Sequence, residues 1–252
     1  MTNLYELVDY TNALLDAPSF ADYCPNGLQV EGRAEVRRLV TGVTASQALV
    51  DAAGQAGADL LLVHHGWFWK GEDPCVTGMK RRRLAGLLTS NMSLLAYHLP
   101  LDAHRALGNN AMLGKLLEIP IDAWFGDGRG ADIACHGRLP QPLSGAGFAE
   151  RLARVLDRAP QFISGGDHQV RRVGWCSGAA QSYIEAAAAQ GLDAFVSGEI
   201  SEQTVHVARE CGIHFYAAGH HATERYGIRA LGEHLAERFA LDHHHLDIGN
   251  PA

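Results

Sequence analysis

Histidines and carboxylates occur in this chain in short clusters that are typical of metal binding. His64 and His65 follow the apolar run LLLV, and the segment GHHATE places His220 four residues before Glu224. On a helix this spacing puts both side chains on one face, one turn apart, where they can bind the same ion. Asp102 supplies a second carboxylate. Imidazoles and carboxylates without sulfur suit zinc, iron, manganese, cobalt or nickel, and this donor set does not choose among them.

The two adjacent histidines indicate two metal ions. Neighbouring residues of an extended strand point to opposite sides, so we expect His64 and His65 each to bind its own ion. Taken singly, a histidine at a strand end is usually a structural residue, and an HxxxE pair is often a solvated helix face. The convergence of several such ligands in one chain favours a dinuclear site.

An internal repeat places these residues at equivalent points of two half-domains. A shift of 134 positions aligns Asp59 with Asp193 without a gap, and it lays the strand LLVHHG over AFVSGE. A later stretch repeats at a shift of 122 positions, which lays Asp102 over Glu224. Both copies therefore bring metal-binding residue types to matching turns, and we expect one site at a pseudo-symmetric junction.

The same repeat identifies candidates for proton transfer. His98 is the counterpart of His220, and Glu199 is the counterpart of His65, so we expect His98 and Glu199 to border the metals as catalytic residues. His221 is a further candidate. The structural alternative is that these side chains only orient a metal ligand through a hydrogen bond.

The elements that position these residues alternate between strands and helices. This pattern predicts an α/β fold of two pseudo-repeated units with mostly parallel sheets covered by helices. In such sheets the functional crevice lies beyond the carboxyl ends of the strands, where the candidate ligands occur. The predicted strands are 38–44, 59–64, 93–98, 171–177, 193–197 and 213–218, and the predicted helices are 46–56, 79–89, 109–117, 181–190, 201–211 and 222–239.

We expect residues 1–120 to form the first repeat unit and residues 171–252 the second. Residues 121–170 are rich in glycine and proline, as in GDGRGA and GRLPQPLSGAG, which predicts a connecting subdomain. Near the C-terminus, His243 to His245 are expected on a solvated turn that precedes a strand, LDIGNPA.

Composition excludes several classes of protein. With 252 residues and 47% hydrophobic content the chain can bury a core. A net charge of −7 argues against duplex nucleic-acid binding. No apolar run reaches the roughly 18 residues of a membrane span, and the N-terminus lacks signal-peptide features, so a cytoplasmic location is expected. The five cysteines form no CxxC pair, which argues against disulfides and thiolate zinc sites.

Several segments resemble signature sequences of the GTP cyclohydrolase I type 2 family, also called Nif-three-like proteins: LLVHHGWFWKG, YHLPLDAHRALGNN, SGEISEQTVHVAREC and YAAGHHATERYGIRALGEHL. The resemblance covers essentially the whole chain and corresponds to the short bacterial form. It implies two interlocked α/β domains, a ring-shaped homohexamer (a toroid) and a centre of two divalent metal ions. The ligands it implies are His64, His65, Asp102, His220 and Glu224.

The function that follows is that of a metal-dependent hydrolase with a nucleotide as its small-molecule substrate. The resemblance implies opening of the purine ring of GTP with release of formate. The sequence contains no P-loop and no dinucleotide-binding glycine motif that would independently mark a triphosphate site. Two alternatives stay open: a metal-dependent phosphoester hydrolase, and a non-enzymatic protein that binds metal or a partner. Five protein ligands shared between two ions leave coordination positions open, which favours catalysis.

Overall fold

The computed structural model describes residues 1–126 and 131–252. Residues 127–130, which belong to the predicted connecting subdomain, lie outside the described residues. The chain divides into two compact units. The first comprises residues 1–101 and 227–248, and the second comprises residues 102–226 and 249–252. The chain thus passes from the first unit into the second, returns to the first at residue 227, and ends with four residues that belong to the second.

The strands of the described residues are β1 Thr2–Asn3, β2 Gly27–Val30, β3 Glu35–Val36, β4 Arg38–Thr44, β5 Leu60–His65, β6 Ser93–Ala96, β7 Ile121–Phe125, β8 Ala134–Leu143, β9 Gln161–Ile163, β10 Val170–Cys176, β11 Ala194–Ser197, β12 His214–Ala217 and β13 Asp242–His245. The helices are α1 Leu4–Leu14, α2 Gln47–Gln55, α3 Gly78–Thr89, α4 Leu99–Ala103, α5 Asn109–Leu116, α6 Gly145–Leu156, α7 Ile184–Ala189, α8 Glu202–Glu210 and α9 His220–Phe239. Two short 3₁₀ helices are Ala17–Ser19 and Gln181–Tyr183.

The first unit contains a five-stranded sheet in the order β13-β4-β5-β6-β2. The pairings among β13, β4, β5 and β6 are parallel, whereas β2 runs antiparallel to β6. Helices α2 and α3 bury Leu49, Val50 and Leu87 against Val40 and Leu61 of this sheet. The central strands are buried on both faces, which explains the continuous apolar run LLLV that precedes His64.

The second unit contains a six-stranded sheet in the order β7-β8-β10-β11-β12-β9. Strands β10, β11 and β12 are parallel, and the flanking strands are antiparallel. Alternate residues of β11 and β12 face two separate cores, as expected for a pleated strand. Val196 and Tyr216 pack with Phe148 of α6, whereas Phe195 and Phe215 pack with residues of α7 and α8. Helices therefore cover both faces, and the predicted α/β fold is confirmed.

The predicted repeat is visible in the pairing register of the two sheets. Leu39 pairs with Leu60 in the first sheet, and Val173 pairs with Ala194 in the second. These pairs coincide once one copy is shifted by the 134 positions found in the sequence. Each unit thus contains the same parallel arrangement, β4-β5-β6 in the first and β10-β11-β12 in the second, and within each sheet the carboxyl ends of these strands lie at one edge.

Residues 121–170, predicted as a connecting subdomain, contribute β7, β8, β9 and α6 to the second unit. Strand β8 pairs with β10, and β9 pairs with β12, so this segment completes the second sheet on both sides.

The expected strand over LDIGNPA is wrong, because the last strand is Asp242–His245 and carries the three histidines. It pairs in parallel with β4, which gives the histidine segment a neighbouring strand that the sequence pattern does not show. The hydroxyl of Thr41 lies 2.9 Å from Nε2 of His243 and 2.9 Å from Nδ1 of His245. Among the described residues, no helix combines the length and the hydropathy that a membrane crossing requires.

Candidate metal centre

Three histidines converge in the first unit at the carboxyl ends of β5 and β6. The ring centroids of His64 and His65 are 4.5 Å apart, and those of His64 and His98 are 5.2 Å apart. One ring nitrogen of each of the three lies within 4.8 Å of the others. The expectation that His64 and His65 point to opposite sides is therefore wrong. Strand β5 ends at His65, and each ring turns toward a contact at the end of a neighbouring strand, Tyr97 directly after β6 and Thr44 at the end of β4.

Those contacts fix the orientation of both rings. Nδ1 of His64 lies 2.9 Å from the carbonyl oxygen of Tyr97, which only accepts hydrogen bonds, so Nδ1 carries the proton. Nδ1 of His65 lies 3.1 Å from the hydroxyl of Thr44. A metal-binding histidine commonly donates one ring N–H to a carbonyl or carboxylate and binds the ion through the other nitrogen. His64 has the tautomer that this arrangement requires.

His98 is held in a similar way by Asp22. Nδ1 of His98 lies 2.8 Å from a carboxylate oxygen of Asp22, whose side chain is only 2% exposed. Burial raises the pKa of Asp22, but hydrogen bonds from His98, Asn26 and the Tyr23 backbone and the charge of His98 more than offset it. The pKa of Asp22 falls to about 2. The carboxylate is therefore ionised, and it accepts a hydrogen bond from His98.

In the second unit, α9 begins at His220, as the four-residue spacing requires. Nε2 of His220 lies 3.1 Å from Glu224, and Nδ1 lies 2.7 Å from Glu199. Burial lowers the pKa of His220, but the hydrogen bonds and charges of Glu224 and Glu199 more than offset it and raise the pKa to about 9. The site thus stabilises a cation strongly, and a metal ion can replace the proton.

Asp102 brings a second buried carboxylate to this unit. Oδ1 of Asp102 accepts hydrogen bonds from Asn109 Nδ2 at 2.8 Å and from Ser177 Oγ at 3.2 Å. A carboxylate oxygen of Asp102 lies within 4.8 Å of one of Glu224, and both residues are buried. Two carboxylates this close repel each other, and a divalent cation between them removes that repulsion.

Two glycines leave space for these side chains. Gly178 has a φ of +65°, and a Cβ atom there would overlap the carboxylate of Glu224 and lie 3.2 Å from Nε2 of His220. A Cβ atom on Gly198 would lie 2.7 Å from Cα of His220. The backbone therefore forms a cradle that only glycine permits.

The first unit thus brings together His64, His65 and His98, and the second brings together Asp102, His220 and Glu224, with Glu199 against His220. These donors are imidazoles and buried carboxylates, which fit a divalent metal ion. His221 is also buried, and its backbone N–H donates to the carbonyl of Ala252.

Three supporting residues are not apparent from the sequence. Asp22 lies 76 positions from His98, and no local pattern connects them. Thr44 contacts His65 from the end of the neighbouring strand, and Ser177 contacts Asp102 from the end of β10. Position at a strand end is the one sequence signal that can identify Thr44 and Ser177, because all parallel strands of a sheet end at the same edge.

The family model for DUF34/NIF3 (NGG1p interacting factor 3) matches residues 2–251. The chain belongs to the DUF34/NIF3 family. A Pseudomonas aeruginosa protein named GTP cyclohydrolase 1 type 2 homolog is 55% identical over 249 residues, which cover 99% of this chain and 98% of that protein. A Haemophilus influenzae protein of the same name is 51% identical and is matched over 100% of both chains.

Solved structures of DUF34/NIF3 relatives have the same fold. The protein ybgI, described as of unknown function, superposes with a TM-score of 0.96 at 50% identity over 100% of both chains. A Thermus thermophilus protein, TTHA1606, superposes with a TM-score of 0.90 at 34% identity, again over 100% of both chains. The relatives therefore establish the family and the fold.

Proposed function

We propose that the protein is a dinuclear metal-dependent hydrolase that acts on a nucleotide. The observation that carries this proposal is the arrangement of donors in each unit. Histidine Nδ1 atoms are held by fixed acceptors, as for His64 and His220, while buried carboxylates of Asp102 and Glu224 lie close together. Two carboxylates this close repel each other, and a divalent cation between them offsets that repulsion.

The proposed ligands are His64 and His65 from the first unit and Asp102, His220 and Glu224 from the second. When bound, two divalent ions lower the pKa of water, polarise the electrophile and orient the substrate. The protein's own residues have separate tasks. Glu199 orients His220 through Nδ1, and His98, with Nδ1 engaged by Asp22, is the proposed proton-transfer group through Nε2.

The proposed substrate is GTP, which is supported by the name of the curated relatives, GTP cyclohydrolase 1 type 2 homolog. In this reaction water adds to C8 of the purine and the imidazole ring opens. A second water then releases C8 as formate. His98 is the proposed proton donor and acceptor for these steps, and Glu199 supports them through His220.

Formate release tests this proposal. Metal-reconstituted protein is incubated with GTP beside the Asp102→Ala variant, and formate and inorganic phosphate are both measured. Formate from the wild type alone supports purine ring opening. Phosphate without formate would replace the proposal with phosphoester hydrolysis. Neither product, with both metals bound, would contradict hydrolysis of GTP and favour a metal-binding role without catalysis.

A ring-shaped homohexamer is also proposed, from the resemblance to the family. It predicts a single species in solution near six times 27.2 kDa. Sedimentation equilibrium measures this mass directly, and a monomer would contradict the ring.

A further inference from the structure

The loop that precedes β2 carries a buried carboxylate that has no role in the proposed ligand set. Asp22 contacts four hydrogen-bond donors from two segments of the chain, its own loop and the residues that follow β6. Oδ1 accepts from the Tyr23 backbone at 2.6 Å and from His98 Nδ1 at 2.8 Å. Oδ2 accepts from Asn26 Nδ2 at 2.9 Å and from the Leu99 backbone at 3.0 Å.

We propose that Asp22 is a positioning residue that keeps the proton of His98 on Nδ1 and thereby presents the unprotonated Nε2 to the His64 and His65 side. This inference rests on the proposed function for its catalytic consequence, although the tautomer itself does not depend on turnover. Asp22 acts through His98 and is not assigned contact with the substrate.

The occupied oxygens of Asp22 argue against a competing interpretation. Asp22, Cys24 and His98 also lie close enough together to hold a metal ion. A carboxylate has about four acceptor positions, and four donors already contact Asp22. Burial and the charge of Asp22 raise the pKa of the Cys24 thiol to about 12. Orientation of His98 is the role that the hydrogen bonds fit.

The surroundings of His98 restrict its ring further. The backbone N–H of His98 donates to Asn26 Oδ1 at 2.8 Å, which fixes the residue at the end of β6. Trp69 packs edge-on against the imidazole with centroids 5.1 Å apart, and Tyr23 lies at 6.3 Å on a tilted plane. Because Nδ1 contacts Asp22, Nε2 is the ring nitrogen that faces the cluster of His64 and His65.

The second unit provides an independent parallel. His220, the repeat counterpart of His98, also has its Nδ1 against a carboxylate, that of Glu199 at 2.7 Å. Asp22 and Glu199 come from unrelated positions of the two copies, before β2 and after β11. Two different chain segments therefore supply the same contact to equivalent histidines, which points to a requirement for this tautomer.

The test measures the tautomer of His98 directly by solid-state ¹⁵N NMR of histidine-labelled, full-length protein loaded with diamagnetic zinc. The pH is kept well above the ordinary histidine pKa of about 6.5. The His98 signals are assigned as those absent from His98→Gln. We expect a protonated Nδ1 and an unprotonated Nε2 in the wild type. A wild-type His98 protonated on Nε2 alone would overturn the proposal, whether or not the protein hydrolyses GTP.

Asp22→Asn tests the cause. Its amide can donate to Nδ1, so we expect the proton of His98 to move to Nε2 and kcat to fall roughly 100-fold, within the range of general acid–base effects, with KM little changed. The matched control is Asp59→Asn, a buried carboxylate of the same unit that accepts hydrogen bonds from the backbone N–H groups of Arg37 and Arg38 and from the guanidinium of Arg33. It should leave the His98 signals unchanged. An Nδ1 proton retained in folded Asp22→Asn would contradict the role of Asp22, and if that variant does not fold, the wild-type tautomer decides.

Discussion

Nδ1 of His220 lies 2.7 Å from the carboxylate of Glu199. The opposite ring nitrogen, Nε2, points toward Glu224 and lies 3.1 Å from its carboxylate. Glu199 thus has the position of a residue that orients a metal ligand and increases its basicity.

Replacing Glu199 by glutamine should lower metal affinity roughly 10- to 100-fold, because residues that orient a ligand have effects of this size. Competition with a chromophoric chelator measures the affinity. Glu202→Gln is the control, since its side chain is 90% exposed at the start of α8. Equal affinities for Glu199→Gln and the wild type would show that Glu199 does not support His220.

Gly178→Ala should remove metal binding at Glu224, because the added Cβ overlaps that carboxylate. The matched control is Gly191→Ala. Its φ is +66°, and an added Cβ atom there would lie 3.7 Å from the nearest heavy atom, in the guanidinium of Arg172. Both variants adopt a left-handed conformation and should lose about 1–2 kcal/mol of unfolding free energy. Only Gly178→Ala should lose bound metal, measured by elemental analysis. Full metal content in Gly178→Ala would show that Gly178 is not needed to leave space for the carboxylate of Glu224.

Asp59 stabilises the start of β4 and is separate from the metal ligands. Its carboxylate accepts hydrogen bonds from the backbone N–H groups of Arg37 and Arg38, and Asp193 does the same in the second copy. Asp59→Ala should lower the unfolding free energy by about 2 kcal/mol, because it leaves these donors without an acceptor. Urea denaturation measures the free energy of unfolding, and Asp51→Ala, which removes an exposed carboxylate, is the control. If Asp59→Ala loses no more unfolding free energy than Asp51→Ala, the stabilising role of Asp59 is refuted.

His214 should make stability depend on pH. The residue is 1% exposed, its Nδ1 accepts from the backbone N–H of Gly165, and burial lowers its pKa below the ordinary 6.5. The unfolded chain therefore binds a proton as pH falls below about 6.5, while folded His214 stays neutral until a lower pH. The contribution of His214 to the stability of the folded state is therefore complete above about pH 6.5, and it decreases as the pH falls below that value.

His214→Gln keeps an acceptor and a donor but does not titrate. We expect its urea midpoint to fall less than that of the wild type between about pH 8 and about pH 5, on either side of the ordinary histidine pKa. Identical pH slopes for the two proteins would show that His214 is not the group responsible.

Periodicity and spacing predicted the parts of the fold that repeat. The parallel strands and helix α2 follow local patterns, and the structure contains them. Helix α9 begins at His220, two residues before the predicted helix 222–239. The contacts of Asp22 with His98 and of Ser177 with Asp102 join residues far apart in the chain. Local patterns carry no information on such pairs, so only the folded chain identifies them.

The segment 242–252 shows the same limit. The strand was expected over residues 246–252 but lies at Asp242–His245. The position of β13 depends on its pairing with β4 and not on its own apolar residues. Likewise, the rings of His64 and His65 lie together because Tyr97 and Thr44 contact them, which strand alternation alone does not predict.

The number of metal ions per chain tests the dinuclear centre most directly. Elemental analysis of metal-reconstituted wild type, Asp102→Ala and Glu224→Ala is compared with Glu233→Ala, an exposed carboxylate on the same helix as Glu224. We predict about two ions in the wild type and in Glu233→Ala, as a two-metal site requires. Asp102→Ala and Glu224→Ala should lose at least one ion while keeping their circular dichroism spectrum. Fewer than two ions in the wild type, or two retained in both ligand variants, would contradict the proposed centre.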